Sequence, residues 1–358
     1  MTLGRGGLEP KSPGRRRNEL RYLVTGATGF IGGRLVRELR RAGHEVVAVV
    51  RDPARAAELA ALGVEIRPGD ITAKETLLDP MRGADGVYHV AGWYEIGARD
   101  RSRAERVNVQ GTRNVLETMR DLGIPKGVYT SSVAIFSDTG GQLPDESYRR
   151  GGPWLTLYDY TKWKAHYEVV EPMIRAGLPL VVVQPGLVYG PGDRSIIQRA
   201  LELYLRRKLP LAPRGAAYCF THVDDVAHGH VLAMDKGRAG ESYILAGPLH
   251  SIIEVFELAE ALCGVPAPRW RPSPTIVRTL ANTTQLLGAL VPLPSMYRYE
   301  SLRVMAGITY AGNSAKAVTE LGWTARTLQE GMRPTLLDCM RRLGMQPPKR
   351  LLGSEDVG

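Results

Sequence analysis

The glycine-rich turn TGATGFIG is the feature that most restricts the fold of this chain. It follows an apolar strand predicted at residues 20–24 and precedes a helical pattern at residues 31–41. Gly26 can take the tight turn, Gly29 lets the backbone approach a pyrophosphate, and Gly32 lets helix and strand pack closely. The helix N-terminus offers free N–H groups and the positive end of a dipole. Although the spacing is GxxGxxG rather than GxGxxG, its place between strand and helix favours dinucleotide binding over a purely structural turn.

Apolar strands continue to alternate with helical patterns as far as about residue 190. The further strands are predicted at residues 45–50, 64–67, 86–90, 127–130 and 178–183. Continuous apolar strands of this kind indicate a parallel sheet covered on both faces, so the sequence predicts a doubly wound α/β domain over residues 19–190. The irregular pattern beyond it predicts a smaller C-terminal substrate lobe over residues 191–345, partly interleaved with the sheet. Residues 346–358 are predicted to form a flexible tail.

Composition excludes several classes of function. The net charge of the 358-residue chain is +10, and five basic residues lie within residues 1–18. This segment is predicted to be a disordered, solvated tail rather than a nucleic-acid site. No run of 18 apolar residues exists, so no membrane span is predicted. The chain has three cysteines and no CxxC motif, so no disulfide framework is predicted. Its histidines form no HExxH motif, so no metal centre is predicted. We expect a cytoplasmic protein with reduced thiols.

Two overlapping YxxxK patterns are present, Tyr158 with Lys162 and Tyr160 with Lys164. Four-residue spacing on a helix places both side chains of either pair on one face. A tyrosine with an ordinary pKa of about 10 is a poor acid or base at neutral pH, and a nearby ammonium favours its phenolate. Such a pair can exchange a proton with a substrate hydroxyl or carbonyl. The spacing alone does not choose between the two pairs.

Further short motifs follow the glycine-rich turn. They are GDI at 69–71, YHVAG at 88–92, NVQGT at 108–112, TSS at 130–132 and HVDDVA at 222–227. Together with TGATGFIG, and in this order over about residues 20–345, they resemble the extended short-chain dehydrogenase/reductase (NAD-dependent epimerase/dehydratase) family. The branch that the chain resembles contains dihydroflavonol reductases, 3β-hydroxysteroid dehydrogenases and hopanoid-associated epimerase-like members. The resemblance implies an NAD(P)-binding Rossmann fold and an NAD(P)-dependent oxidoreductase.

The family pattern YxxSKxxAE favours one of the two tyrosine–lysine pairs. It aligns Thr161 with Ser, Lys162 with Lys and Ala165 with Ala, which implies Tyr158 as the general acid/base. Lys162 would also hydrogen-bond the nicotinamide ribose. His166 departs from the usual Glu, and we interpret this position as peripheral.

Two polar residues upstream complete the implied catalytic set. The resemblance of TSSVAIF to the family favours Ser132 as the group that holds and polarises the substrate oxygen, with Ser131 as the adjacent alternative. Asn108 is expected to brace the packing of helix on sheet through side-chain hydrogen bonds. The alternative for Asn108 is an ordinary amide on a helix surface.

The resemblance also implies which residues bind the cofactor. Asp70 and Ile71 would contact the adenine, although a structural turn aspartate is the alternative role of Asp70. Ala91 and Gly92 would line the cofactor channel. The other implied contacts are Gly26, Thr28, Gly29, Phe30, Ile31, Gly32, Pro185, Gly186 and Val188, together with Tyr158 and Lys162.

The end of the second strand bears on the choice between NAD and NADP. An acid there would bind the ribose 2′-hydroxyl of NAD, and a cation would bind the 2′-phosphate of NADP. Here Val50 is followed by Arg51 and Asp52, and this run resembles the dihydroflavonol reductase branch, which uses NADP. A guanidinium can hold a phosphate with two hydrogen bonds, and Arg55 could assist. The sequence predicts that NADP is bound through Arg51. One alternative is that Arg51 is only solvated. The other is that the cofactor is NAD and that Asp52 binds the ribose 2′-hydroxyl.

The substrate side departs from the sugar-nucleotide members of the family. Those usually carry an asparagine in an FNxYGP-like stretch, where this chain reads QPGLVYGPGD at residues 184–193. Its loss argues against a nucleotide-sugar substrate. Trp93, Tyr94, Tyr189 and an amphipathic segment at residues 276–291 could form an apolar wall, with packing between the lobes as the alternative. The segment could also be a membrane-surface face.

These observations predict an NADP-dependent reductase or dehydrogenase of an apolar or cyclic carbonyl or alcohol. The alternatives are an epimerase or dehydratase that retains its cofactor, and a non-catalytic NADP-binding sensor or scaffold. A small-molecule substrate and, by family resemblance alone, a homodimer are the expected partners.

Overall fold

The computed structural model describes residues 19–97, 100–287 and 297–352. Within these residues the strands are β1 (Arg21–Thr25), β2 (Glu45–Val50), β3 (Glu65–Pro68), β4 (Gly86–His89), β5 (Gly127–Thr130), β6 (Leu180–Pro185), β7 (Leu187–Tyr189), β8 (Ala217–His222), β9 (Ser242–Leu245), β10 (Leu249–Ser251) and β11 (Thr309–Tyr310). The helices are α1 (Phe30–Arg41), α2 (Ala57–Ala61), α3 (Leu78–Met81), α4 (Arg101–Glu105), α5 (Gly111–Asp121), α6 (Leu157–Ala165), α7 (Glu171–Arg175), α8 (Ile196–Leu205), α9 (Val223–Asp235), α10 (Ile252–Cys263), α11 (Pro274–Leu287), α12 (Tyr299–Val304) and α13 (Leu328–Arg342). π-Helical turns at Arg106–Gln110 and His166–Val170 join α4 to α5 and α6 to α7.

Seven strands form the main sheet in the order β3-β2-β1-β4-β5-β6-β9. Every neighbouring pair is parallel. The strand order reverses between β1 and β4, and at such a point the carboxyl ends of parallel strands leave a crevice for a ligand. The doubly wound α/β fold predicted from the sequence is confirmed.

Helices cover both faces of this sheet. On one face, Leu35 and Leu39 of α1 and Ala233 of α9 pack in the same core as the strands. On the other face, Leu116 and Met119 of α5 pack in a second core. Since both faces are covered, the strands are apolar along their whole length, which is why they appear in the sequence as continuous runs.

A second sheet supports the C-terminal lobe. β8 is its central strand, antiparallel to β10 and parallel to β7 and β11. Leu201 of α8, Phe256 of α10 and Met332 of α13 contribute to the core of this lobe. Capping boxes at Ser251 and Thr327 fix the starts of α10 and α13.

The chain after residue 190 also returns to the first domain. β9 pairs with β6, and Trp323, almost fully buried, packs in the core beneath α1. The Trp323 indole donates to the backbone oxygen of Asp225 at 2.8 Å. The domain boundaries at residues 190 and 345 stay predictions.

Part of the predicted C-terminal tail is packed on the lobe. Residues 1–18 and 353–358 lie outside the described residues. As far as residue 352, however, the chain lies against α13, because Arg333 donates to the backbone oxygens of Arg350 and Leu351 at 2.8 and 3.0 Å. The Leu351 side chain is fully buried in the core of the lobe. This is a tertiary contact, and the local composition gave no sign of it.

The amphipathic segment predicted at residues 276–291 is helical as far as Leu287, in α11. Residues 288–291 lie outside the described residues. Val277 and Ala281 face the protein, whereas the apolar Ile276 and Leu280 are exposed, so the apolar stripe of this helix is wider than the face it buries. No helix within the three described ranges is long and apolar enough to cross a membrane.

Candidate active site

The glycine-rich turn leaves space for a phosphate group at the start of α1. Gly26 has φ +74°, and a Cβ there would lie 2.6 Å from the Ala91 nitrogen. A Cβ on Gly32 would lie 2.1 Å from the Gly26 oxygen, so only glycine allows this approach. α1 begins after Gly29 without a side-chain cap and without an acid in its first turn. Free N–H groups at an uncapped helix start fit the pyrophosphate of a dinucleotide.

Some of the residues predicted to contact the ribose and the adenine form hydrogen bonds within the protein, and others do not. Arg51 is exposed, and no described carboxylate pairs with it. The Asp52 carboxylate accepts from the Ala54 nitrogen at 3.1 Å. Asp70 accepts at Oδ1 from the nitrogen and the hydroxyl of Thr72, both at 2.9 Å, so it does form the structural turn weighed above.

The predicted contacts beyond β6 lie where two strands meet closely. Pro185 ends β6, and Val188 is half-buried in β7. A Cβ on Gly186 would lie 2.4 Å from the Cys219 oxygen, which explains the glycine structurally. Ile71 is buried against Gly111. Contact of these residues with a cofactor stays a prediction.

Ser132, Tyr158 and Lys162 come together at the carboxyl end of β5. The Ser132 hydroxyl lies close enough to the Tyr158 phenol to lower its pKa, and it accepts from the Ala134 nitrogen at 3.1 Å. Lys162 Nζ donates to the Thr130 backbone oxygen at 2.7 Å. A hydroxyl, a phenol and an ammonium thus meet at the sheet edge that parallel α/β folds use for ligands.

The alternative pair lies on a different face of α6. Lys164 Nζ is 5.7 Å from the centre of the Tyr160 ring and 3.9 Å from Glu105 Oε1. Both side chains are partly exposed. Because this pair is offset by two residues, about 200° around the helix, it points away from Ser132. The geometry favours Tyr158 and Lys162.

Comparison with known proteins agrees with this arrangement. Residues 22–246, more than half of the chain, match the family model described as NAD dependent epimerase/dehydratase family. The chain belongs to that family. The resemblance stated from its motifs is confirmed, and the protein is an NAD(P)-dependent oxidoreductase of the extended short-chain dehydrogenase/reductase type.

Two curated relatives and one solved structure show the range of the family around this enzyme. A Synechocystis protein named "Putative dihydroflavonol 4-reductase" is 33% identical over 87% of this chain and 92% of its own. Sterol demethylase protein B of Methylococcus capsulatus is 31% identical over 84% of this chain and 92% of its own. The crystal structure of a nucleoside-diphosphate-sugar epimerase from Pseudomonas aeruginosa is similar with a TM-score of 0.73 and 26% identity, over 91% of this chain and 98% of that one.

Burial dominates the electrostatics of the catalytic set in this family member. It raises the pKa of Tyr158 to about 12, and the hydrogen bond with Ser132 opposes this only in part. It lowers the pKa of Lys162 to about 7. The expectation that the ammonium would favour the Tyr158 phenolate is therefore not met in this state of the enzyme. Tyr158 is a neutral phenol at neutral pH, and so a proton donor.

Asn108 lies inside the enzyme and braces the site. Its Oδ1 accepts from the Trp93 nitrogen at 2.7 Å, and its Nδ2 donates to the Trp93 oxygen at 3.0 Å. The same Nδ2 donates to Thr161 Oγ1 at 2.9 Å, which joins the loop after β4 to α6. The predicted bracing role agrees with these contacts, and a surface amide is excluded.

The interpretation of His166 as peripheral is wrong. Its side chain is almost fully buried, and Nδ1 lies 2.9 Å from Ser131 Oγ. The contact occupies Ser131 on the side of the π-helical turn, whereas Ser132 faces Tyr158. Burial lowers the pKa of His166 to about 3, so the ring is neutral.

The cleft beside Tyr158 holds one of the predicted aromatic residues. Tyr94 is 49% exposed and meets the Tyr158 ring edge-on, with 4.9 Å between ring centres. Trp93 is buried instead, in a cluster with Ala104 and Leu157. Tyr189 is not part of this wall, because it is buried in the lobe core beside Phe220.

Two carboxylates near the site were missed because their partners are distant in sequence. Asp159 accepts from Tyr310 at 2.8 Å and from Ser137 at 3.0 Å, and burial raises its pKa to about 6. Glu300 accepts from the nitrogens of Gly97 and Leu157, at 2.9 and 3.2 Å. Asp159 also exchanges hydrogen bonds with the N-cap Thr156 of α6, a local pattern that gives no sign of its contact with Tyr310. Among the described residues, no cluster of three or more His, Cys, Asp or Glu side chains could hold a metal ion.

Proposed function

We propose that this enzyme is an NADP-dependent reductase or dehydrogenase of an apolar or cyclic carbonyl or alcohol. The observation that carries the proposal is the meeting of Ser132, Tyr158 and Lys162 at the open end of β5. The uncapped start of α1 lies at the same edge of the sheet, and Tyr94 lies in the cleft next to Tyr158.

The roles of the three residues follow from their contacts. Ser132 holds the substrate oxygen by a hydrogen bond, and Tyr158 donates its phenolic proton to that oxygen. The nicotinamide cofactor supplies the hydride when it is bound. The Lys162 ammonium, one helical turn from Tyr158, stabilises the phenolate left behind, and in the oxidative direction Tyr158 takes the proton back.

The substrate class rests on the aromatic cleft and on the relatives. The exposed Tyr94 ring presents a flat apolar surface next to Tyr158. Relatives named for a dihydroflavonol and for a sterol are consistent with a ring substrate. Leu187, rather than an asparagine, lies in β7 after the sixth strand of the main sheet.

NADPH oxidation with a panel of ketones tests the function. We expect net consumption of NADPH, followed by its absorbance, with cyclic or aromatic ketones and little with small aliphatic ones. The second candidate is an epimerase that retains its cofactor, which the similarity to the nucleoside-diphosphate-sugar epimerase favours. An epimerase would interconvert nucleotide sugars without net NADPH consumption, and that result would replace the proposal.

The cofactor preference rests on Arg51. Its guanidinium is exposed and has no described acidic partner, whereas Asp52 is occupied by the turn that it caps. A free guanidinium at the end of β2 can take a 2′-phosphate with charge-assisted hydrogen bonds.

Substitution Arg51→Ala is expected to weaken NADPH binding by about ten- to a hundredfold, the effect of losing one charge-assisted contact. NADH lacks the phosphate and should bind the variant about as well as it binds the parent. Fluorescence titration of both cofactors measures this. Salt should weaken NADPH binding more than NADH binding in the parent, since an exposed contact is screened.

A matched control is Arg55→Ala, one turn further on and also exposed. It should have the smaller effect. Equal losses of both cofactors in Arg51→Ala would show that Arg51 only supports the loop. A parent that prefers NADH would overturn the NADP assignment and return Asp52 to the ribose role.

A further inference from the structure

The Lys162 ammonium is buried without a carboxylate to balance it. Its side chain is 5% exposed, and no described Asp or Glu forms an ion pair with it. Within the described residues, Lys162 Nζ donates to the Thr130 backbone oxygen at 2.7 Å and to the Tyr129 hydroxyl at 3.1 Å. The ammonium also lies 4.8 Å from the centre of the Tyr129 ring. Tyr129 is therefore the side chain that holds this charge, through both its hydroxyl and its ring.

The Tyr129 ring packs against a chain of buried polar groups. It lies beside the His89 ring, with 5.6 Å between ring centres, and His89 Nε2 lies 3.1 Å from the Thr112 hydroxyl. His89 Nδ1 lies 2.8 Å from the Thr25 hydroxyl, which accepts from the Ala91 nitrogen at 3.3 Å. The chain runs from Thr112 on α5 across β4 and β1 to the backbone beside the glycine-rich turn.

One assignment of protons satisfies every member of this chain. Thr112 donates to the Asn108 oxygen at 2.7 Å, so its oxygen is free to accept from His89. His89 then carries its proton on Nε2 and accepts at Nδ1 from Thr25. The neutral ring that this requires agrees with the burial of His89, which lowers its pKa to about 3. The His89 ring is thereby fixed beside Tyr129, whose hydroxyl oxygen accepts from Lys162 Nζ.

We propose that Tyr129, packed against His89, is a positioning residue that orients the Lys162 ammonium and stabilises its charge. The proposal rests on the proposed function only for the part that Lys162 plays in catalysis. In this proposal Tyr129 acts through Lys162 and makes no contact with the reacting atoms.

The titratable groups facing Lys162 come from four elements. They are Tyr129 on β5, His89 on β4, Tyr158 one turn earlier on α6, and His166 at the start of the π-helical turn that follows α6. Both histidines are neutral and both tyrosines are protonated at neutral pH, because burial disfavours their charged forms. The Tyr129 oxygen is thus the side-chain acceptor whose removal changes the charge balance at Lys162.

Substitution Tyr129→Phe tests the proposal by removing the hydroxyl and keeping the ring. We expect the pKa of Lys162 to fall by about one unit, because a hydrogen bond to the charged form is lost. Carbon-13 NMR of labelled lysine side chains follows this pKa without any activity measurement. The full chain has nine lysines, and the Lys162 signal is assigned by its absence in Lys162→Met.

The matched control is Tyr88→Phe on the neighbouring strand. Tyr88 is equally buried, and its hydroxyl has no hydrogen-bond partner among the described residues. Its loss should leave the pKa of Lys162 unchanged. If Tyr129→Phe does not fold, Thr112→Val removes the partner of His89 Nε2, whose ring packs against Tyr129, and a smaller fall in the pKa of Lys162 is expected. An unchanged Lys162 pKa in the folded variant, or an equal fall in both Tyr→Phe variants, overturns the proposal.

The pH profile of alcohol oxidation separates this inference from the proposed function. In the proposed function the Lys162 ammonium stabilises the phenolate that Tyr158 forms, so a lysine that loses its proton more readily should move the profile of Tyr129→Phe to higher pH. A fall in the pKa of Lys162 in a protein that oxidises no alcohol would refute the function and leave the role of Tyr129 intact. If the parent and Tyr129→Phe both oxidise the alcohol, their pH profiles coincide and the pKa of Lys162 is unchanged, the proposed function stands and the role of Tyr129 is refuted.

Discussion

Replacement of Tyr158 by Phe is expected to lower kcat by a factor of about 10²–10⁴, the usual contribution of a positioned proton donor. The ring would still pack edge-on against Tyr94, so the cleft keeps its shape. The Ser132 hydroxyl would lose its phenolic partner but still accept from the Ala134 nitrogen. Cofactor affinity should change by only a few fold. Single-turnover reduction of the best ketone, with cofactor titration alongside, measures both quantities.

Tyr160→Phe is the matched control. It makes the same chemical change in the pair that faces away from Ser132, and turnover should stay close to that of the parent. A large loss in Tyr160→Phe with little loss in Tyr158→Phe would transfer the acid/base role to the other pair. A biological role that survives Tyr158→Phe but not loss of cofactor binding would support the sensor alternative.

Acidification from pH 7 to pH 5 is expected to remove about 6 kcal/mol of the free energy of unfolding through the fully buried His89, His166 and His230. The pKa values of His89 and His166 fall from the ordinary value of 6.5 to about 3, and that of His230 falls to about 4. Burial also lowers the pKa of His222 to about 4, which adds to the loss. Below pH 6.5 the unfolded chain therefore binds protons at these histidines that the folded chain does not. Stability therefore decreases as the pH falls through this window, by about 2 kcal/mol per histidine at pH 5.

Asp159 acts in the opposite direction. Its pKa is raised to about 6, so the folded chain binds its proton before the unfolded chain does and regains about 1 kcal/mol at pH 5. The net loss is a large part of the free energy of unfolding of an ordinary protein. Chemical denaturation at the two pH values measures it.

A pair of variants attributes the loss to burial. His166→Asn keeps a hydrogen-bonding amide near Ser131 and removes the titrating ring, so the change in unfolding free energy between pH 7 and pH 5 should shrink by about 2 kcal/mol. His228→Gln removes an exposed histidine that contacts Glu38 and should leave that change as it is. Equal unfolding free energies of the parent at both pH values would contradict the prediction.

The parts of the site that lie on local motifs could be predicted from the sequence. The turn from Gly26 to Gly32 and the spacing of Tyr158 and Lys162 each depend on a few neighbouring residues. The backbone geometry demands glycine in the first case, and one helical turn joins the two residues in the second. Such constraints are visible in a single chain.

The misread residues depend on contacts between distant segments. His166 looked peripheral on its helix, yet Ser131, 35 residues earlier, covers it. Tyr189 looked like a cleft aromatic and packs in the core of the lobe. Asp159 and Glu300 gain their partners from the other lobe, and no spacing rule links Asp159 to Tyr310. The predicted effect of the lysine on the pKa of Tyr158 was wrong for the same reason, because that pKa is set by surrounding elements that the YxxxK pattern does not contain.

The position of β9 at the edge of the main sheet has a consequence for synthesis on the ribosome. β6 is an entirely buried strand, and its outer neighbour comes from residues 242–245, after much of the second lobe. At the usual rate of translation, the apolar edge of β6 waits about 3–10 s for that neighbour to be made. Unpaired apolar edges recruit other chains, so the nascent protein depends on a chaperone or on slow collapse during this interval. The strand order of the main sheet thus determines when the newly made chain is most exposed to aggregation.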